Sequence, residues 1–124
     1  MKTILVIEDN AAICENACEI LEQEGYRAIF ALNGKEGIGL AKQNRPDLIL
    51  CDIMMPGEDG FEVFDALGKD PETVQIPFIF LTASAEKKEI EAGLGMGAKA
   101  FILKPFEDKD FFGTIARCLT ADPK

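Results

Sequence analysis

Short apolar runs alternate along the chain with longer segments in which apolar residues recur at helical spacing. The runs predict strands at residues 4–7, 27–31, 47–51, 77–81 and 100–103. The longer segments predict helices at residues 10–24, from Asn33 onward, and at 60–68, 86–95 and 107–120. The pattern therefore predicts five strands and five helices in alternation.

Two helix boundaries carry specific sequence markers. Gly25 ends the periodic pattern of the first helix, as a residue just beyond a helix C-terminus commonly does. Asn33, followed three residues later by Glu36, is typical of a helix start. Each interior glycine weakens a helix by up to about 1 kcal/mol, so propensity opposes this second helix. Its glycines are Gly34, Gly37 and Gly39.

The alternation favours an α/β fold with a parallel sheet and helices on both of its faces. Parallel neighbours need a crossover connection, and the predicted helices supply one after each strand. The strands are apolar on both faces, as expected for a sheet covered on both sides. With 124 residues and no linker, repeat or low-complexity segment, residues 1–124 are predicted to form one domain.

Polar residues follow four of the predicted strands. They are Glu8 and Asp9 after the first, Asp52 after the third, Thr82 after the fourth and Lys104 after the fifth. Taken singly, each has an ordinary explanation as a helix cap, a turn residue or a surface charge. In a parallel sheet, however, these strand ends share one edge, so the sequence predicts that the side chains gather there.

Three carboxylates at one edge require a compensating positive charge. Two unit charges about 4 Å apart repel by about 4 kcal/mol at an effective dielectric constant of about 20. Lys104 would supply one positive charge, and a divalent cation would supply the rest. Carboxylate and carbonyl oxygens favour a hard ion such as Mg²⁺. A carboxylate, a metal and a lysine together are suited to handling a phosphoryl group.

Composition limits the other function classes. The chain has no histidine, which removes the commonest general base and transition-metal ligand, and its net charge of −9 opposes binding to nucleic acid or anionic membranes. No apolar stretch reaches the roughly 20 residues of a membrane span, and no signal peptide is apparent, so a cytoplasmic location is expected. The cysteines lack metal-site spacing and are expected to be reduced, packed thiols; they are Cys14, Cys18, Cys51 and Cys118.

The chain resembles the receiver domains of bacterial two-component response regulators over essentially all of its length. The motifs that carry the resemblance are Glu8–Asp9, Asp52 with Met55–Pro56 and Gly60, Thr82–Ala83, and Phe101 leading to Lys104–Pro105–Phe106. The resemblance implies a flavodoxin-like, doubly wound sheet with strand order 2-1-3-4-5. Glu8 departs slightly from the family pattern, because many members have aspartate there.

The resemblance also implies a role for each of these residues. Asp52 would be the phosphoacceptor, and Asp9, Asp52 and the backbone carbonyl of Met54 would hold Mg²⁺, with Glu8 contributing directly or through water. Lys104 would contact the phosphoryl group and the Thr82 hydroxyl would be drawn to it. Phe101 would be the aromatic switch residue that turns inward as the threonine moves.

The function implied is a signalling switch and not an enzyme acting on external substrates. A histidine kinase or phosphotransfer protein would phosphorylate Asp52, and the surface formed by residues 86–120 would then bind a downstream protein. The chain would catalyse only its own phosphorylation and dephosphorylation, as a monomer or a transient homodimer.

The alternative is a constitutive receiver-like scaffold that phosphorylation does not control. FMN binding and a small hydrolase are disfavoured, the latter because Met54 stands where aspartyl-phosphate phosphatases carry a second aspartate.

Overall fold

The computed structural model describes residues 1–82, 91, 95, 97–104 and 108–120. The strands are β1 (Thr3–Ile7), β2 (Arg27–Ala31), β3 (Leu48–Asp52), β4 (Phe78–Thr82) and β5 (Ala100–Leu103). The helices of the described part of the chain are α1 (Ala11–Gln23), α2 (Gly34–Asn44), α3 (Gly60–Gly68) and α4 (Asp108–Thr120). No helix among these residues has both the length and the apolar character that a membrane span requires.

The strands form one parallel sheet in the order β2-β1-β3-β4-β5, which confirms the predicted doubly wound fold. The predicted count of five helices differs from the four that are described. The missing one is the helix predicted at 86–95, which lies outside the described residues except for Glu91 and Gly95, both helical.

Two strands are displaced by one residue from the predicted positions, and the displacement matters for the site. The predicted strands 47–51 and 77–81 are β3 (Leu48–Asp52) and β4 (Phe78–Thr82). Asp52 is therefore the last residue of β3, opposite Leu81, and Thr82 is the last residue of β4, opposite Leu103. Their backbones are fixed by the sheet and not left in a loop.

Apolar side chains cover both faces of the sheet, in two separate clusters. Alternate strand residues such as Val6 and Leu50 pack with α1 and α4, whereas Ile7 and Cys51 pack with α2 and α3. This arrangement explains why the strand sequences are apolar at successive positions. None of the four cysteines forms a disulfide, and three of them are buried, in agreement with the prediction of packed thiols.

The helix boundary markers are confirmed. Asn33 Oδ1 accepts a hydrogen bond of 2.8 Å from the Glu36 N–H at the start of α2. Gly25, just beyond α1, has φ of 93°, a left-handed conformation that glycine adopts without strain. α2 forms despite its three glycines, so tertiary contacts outweigh its low helix propensity.

Candidate functional site

Three carboxylates meet at the carboxyl edge of the sheet. Glu8 and Asp9 follow the end of β1, and Asp52 ends β3, the strand that pairs with β1. One carboxylate oxygen from each of the three residues lies within 4.8 Å of the other two. The parallel pairing of β1 with β3 thus brings together the acidic groups that the sequence predicted at one edge.

Lys104 joins two of these carboxylates. Its Nζ lies 2.8 Å from Glu8 Oε1 and 3.1 Å from Asp52 Oδ1. Only 13% of the lysine side chain is exposed, and its backbone N–H donates to the Thr82 carbonyl at 2.8 Å. Lys104 is therefore held at the end of β5 with its ammonium group between the two buried acids.

Glu8 and Asp9 differ sharply in their surroundings. Glu8 is 1% exposed; its Oε1 accepts from Lys104, and its Oε2 accepts from the Asn10 backbone N–H at 3.1 Å. The Glu8 N–H also donates to the Ala31 carbonyl at 3.1 Å. Asp9 is exposed to solvent. Both oxygens of Glu8 thus have hydrogen-bond partners within the protein, while Asp9 faces the mouth of the site.

Burial and the neighbouring charges shift the pKa values of both Asp52 and Lys104. Burial and then the negative charge of Glu8 raise the pKa of Asp52 to about 6, although Lys104 acts in the opposite direction. Burial alone would lower the pKa of Lys104, but its hydrogen bond to Glu8 and the charge of Asp52 outweigh burial and raise it. The lysine is charged at neutral pH, and it does not fully neutralise the site.

The other predicted site residues lie at different distances from this cluster. Thr82 is buried at the same edge, at the end of β4, the strand between β3 and β5. Phe101 lies within β5, and its ring packs on Phe80 with ring centroids 5.2 Å apart. Met54 lies in the loop after β3 and is 70% exposed. The structure thus brings Glu8, Asp9, Asp52 and Lys104 together, with Thr82 beside them and Phe101 further along the sheet.

Gly60 contributes to the site in a way that the sequence did not reveal. Its N–H donates to the Ile53 carbonyl at 2.9 Å, and a Cβ at this position would lie 2.5 Å from the Asp52 carbonyl oxygen. The start of α3 therefore rests directly on the backbone of Asp52. A glycine directly after the helix cap Asp59 was the available sequence signal, and it indicated only a family motif.

The donor set fits a hard divalent cation. Octahedral Mg²⁺ has oxygen ligands at 2.0–2.1 Å, so its ligand atoms lie about 3–4 Å apart. The oxygens of Glu8, Asp9 and Asp52, which lie within 4.8 Å of one another, need only a small contraction to reach that geometry. All three donors are carboxylates, which favour Mg²⁺ or Ca²⁺ over softer metals.

The model of the response regulator receiver domain family matches residues 4–116, and the chain belongs to this family. Receiver domains are in general signalling domains and not turnover enzymes. The predicted family is therefore confirmed.

Two similar proteins differ in how much of their own length the match to this chain covers. The protein PilH of Pseudomonas aeruginosa is 35% identical over 115 residues, which cover 93% of this chain and 95% of PilH. The phosphate regulon transcriptional regulatory protein PhoB of the same organism is 38% identical over 118 residues, covering 95% of this chain but 52% of PhoB. The chain thus spans nearly all of PilH and about half the length of PhoB.

Solved structures show the same fold. The chemotaxis protein CheY4 of Vibrio cholerae superposes with a TM-score of 0.90 at 27% identity, covering 95% of this chain and 98% of CheY4. The non-phosphorylated HemR receiver domain of Leptospira biflexa gives a TM-score of 0.88 at 34% identity, covering 98% and 97% of the two chains. The whole described sheet therefore has the receiver architecture.

Proposed function

We propose that residues 1–124 form a single receiver domain controlled by phosphorylation of Asp52. The phosphoryl donor is a histidine kinase or a histidine phosphotransfer protein. The observation that carries this proposal is the position of Asp52, a buried carboxylate bonded to Lys104 and adjacent to two further acids. Membership of the receiver family supports the same conclusion.

Mg²⁺ is the cofactor of this proposal. Asp9, Asp52 and the backbone carbonyl of Met54 would hold the ion, and Glu8 would contribute directly or through water. The clustering of the Glu8, Asp9 and Asp52 carboxylates supports this ligand set. When bound, the ion neutralises negative charge on the phosphoryl oxygens and on the acids around them. The need for it follows from the composition of the cluster, in which Lys104 faces three carboxylates whose oxygens lie within 4.8 Å of one another.

Asp52 acts as the nucleophile and Lys104 as the electrostatic partner. A carboxylate oxygen of Asp52 forms a bond to phosphorus while the bond between phosphorus and the donor imidazole nitrogen breaks, and that nitrogen keeps the electron pair. Lys104 Nζ, 3.1 Å from Asp52 Oδ1, is placed to donate to the oxygens of the transferred group. The product is an acyl phosphate, which the chain itself hydrolyses without turning over external phosphoesters.

The switch depends on residues beyond the cluster. The Thr82 hydroxyl, on the strand next to Asp52, moves toward the phosphoryl group, and Phe101 turns inward as it does so. The surface formed by residues 86–120 then changes its affinity for a downstream protein, which is how a phosphoryl group biases a two-state element. Part of that surface lies outside the described residues.

Intact mass after incubation with Mg²⁺ and acetyl phosphate tests this function. A labile phosphoryl adduct is expected in the parent protein and in the control Asp65→Ala, which changes an exposed aspartate of α3. The adduct should be absent in Asp52→Ala and after removal of Mg²⁺ with EDTA. A parent protein that gains no adduct would support the constitutive scaffold, and multiple turnover of a phosphoester would indicate a hydrolase.

A further inference from the structure

Two of the four cysteines lie one helical turn apart on the same side of α1. Cys14 is 2% exposed, whereas Cys18 is only partly buried. Residues four apart in a helix are surface neighbours, with Cβ atoms about 5–6 Å apart. Both side chains pack in the apolar cluster that α1 shares with α4. The helix therefore holds two thiols side by side, and the proposed phosphorylation chemistry uses neither of them.

The two thiols form a hydrogen bond with each other. The Cys14 S–H donates to the Cys18 sulfur, which lowers the pKa of Cys18 against the opposing effects of burial and of Glu22. The same hydrogen bond, together with burial, raises the pKa of Cys14. The thiolate is the reactive and ligating form of cysteine. Cys18, which ionises first and is the more exposed of the two, is therefore the thiol that a reagent meets first.

A metal ion that needs three or four protein ligands does not fit this pair. Structural zinc sites use four cysteine or histidine ligands. The chain has no histidine, and among the described residues no third cysteine or carboxylate joins the two thiols in a group that could hold an ion. Cys51 packs on the opposite face of the sheet, and Cys118 belongs to α4. The ligand must be one that two sulfurs alone can hold.

Trivalent arsenic meets this requirement. An arsenical that carries one organic group has two further bonds to form, and thiolate sulfur is the ligand that soft centres favour. The three bonds of trivalent arsenic are pyramidal, so its two sulfurs lie next to each other, as these hydrogen-bonded thiols do. A linear two-coordinate ion such as Cu(I) would instead place the sulfurs on opposite sides and separate the thiols.

We propose that Cys14 and Cys18 form a dithiol site for trivalent arsenicals of the type RAs=O. Two As–S bonds form while the As=O bond and both S–H bonds break, and the oxygen leaves with the two protons as water. Arsenic stays trivalent and neither sulfur is oxidised. Because the second sulfur reacts within the same molecule, the pair should bind about 10²- to 10⁴-fold more tightly than one thiol.

The test uses phenylarsine oxide and the reduced, folded 124-residue chain in the presence of EDTA. Native intact mass should show one adduct, heavier by the reagent less one water, and two of the four free thiols should disappear. The adduct should persist in excess glutathione, a monothiol, and should be removed by dimercaptopropanol, a dithiol. Far-UV circular dichroism should show that the helices are retained.

Three alanine variants locate the site. Alanine removes the sulfur and is the best helix former, so α1 and α4 should persist in each variant. Cys14→Ala and Cys18→Ala should each bind the reagent on the order of 10²-fold more weakly and lose the adduct in glutathione. Cys118→Ala, the control in α4, should bind like the parent. Should Cys14→Ala not fold, Cys18→Ala decides the matter, because Cys18 is the less buried of the pair.

Four results would overturn the dithiol site. They are a folded parent that gains no adduct, a parent adduct that glutathione removes, a Cys18→Ala variant that keeps the parent affinity, and an adduct that forms only with loss of the helix signal. Weaker binding in Cys118→Ala together with full binding in Cys18→Ala would likewise place the reagent on other cysteines. None of these results depends on whether Asp52 is phosphorylated.

Discussion

One ammonium group lies between two buried carboxylates at the centre of the site. Lys104 Nζ is 2.8 Å from Glu8 and 3.1 Å from Asp52, and Asp9 adds a third carboxylate toward solvent. One cation against three acids leaves the cluster negative. Burial, and after it the negative charge of Glu8, raises the pKa of Asp52 to about 6. The folded protein therefore bears an electrostatic cost at neutral pH that a bound divalent cation would relieve.

This cost should make the stability of the protein depend on pH. The pKa of Asp52 is raised from 3.8 to about 6, so the folded protein binds the proton more tightly than the unfolded chain. Its stabilising contribution is present below pH 3.8 and is lost as the pH rises through 6. Asp52→Asn, measured by urea unfolding without Mg²⁺, should increase the free energy of unfolding at pH 7.5 by on the order of 1–2 kcal/mol.

The pH dependence provides the control for that experiment. The gain from Asp52→Asn should shrink as the pH falls toward 4, where Asp52 of the parent is itself protonated. Asp65→Asn, an exposed aspartate paired with Lys69, should change stability by less than about 0.5 kcal/mol. A parent protein that is more stable than Asp52→Asn at pH 7.5 would contradict the electrostatic account.

The sequence predicts only some of the contacts that single residues make at the site. Asp52 and Lys104 could be predicted to meet because both stand where parallel strands end, and topology alone brings such residues to one edge. The hydrogen bonds that Glu8 accepts from Lys104 and from the Asn10 N–H could not be predicted. Those contacts depend on a side-chain conformation that the surrounding packing selects.

At the scale of elements, α2 shows how packing overrides propensity. Its glycines oppose helix formation, but two of them permit close contact with β1 and with the loop before α3. The strands were predicted to within one residue, since apolar runs bounded by polar residues are a strong local pattern. The close packing at these glycines could not be predicted, because it depends on which residues α2 contacts in the folded protein.

Gly39 gives the matching stability prediction. It is exposed within α2, and a methyl group there meets nothing, so Gly39→Ala should add only helix propensity. We expect the free energy of unfolding to rise by about 0.5–1 kcal/mol in urea denaturation. A decrease would mean that this face of α2 makes contacts that the structure does not contain.

At the scale of the whole molecule, the acidic site connects β1 and β3, the two neighbouring strands at the centre of the sheet. An ion that binds only the folded chain must stabilise all of it, by RT ln(1 + [Mg²⁺]/Kd). Above Kd, each tenfold rise in Mg²⁺ should therefore add about 1.4 kcal/mol to the free energy of unfolding.

This stabilisation should depend on pH and on the carboxylates. Below pH 6 a proton on Asp52 competes with the metal, so thermal or urea unfolding at pH 5 should respond to Mg²⁺ only at higher concentrations than at pH 7.5. Asp9→Asn should reduce the response at both pH values. An equal response in parent and variant would place the ion elsewhere on the protein.

The proposed function depends on Asp52 as the residue that accepts a phosphoryl group. The most direct measurement is to incubate the protein with acetyl phosphate and Mg²⁺, reduce the acyl phosphate with borohydride, and locate the product by peptide mass mapping. The reduced residue is predicted to be Asp52, with no label in the absence of Mg²⁺. A label on Asp9, Glu8 or any other carboxylate, or no label at all, would contradict the account.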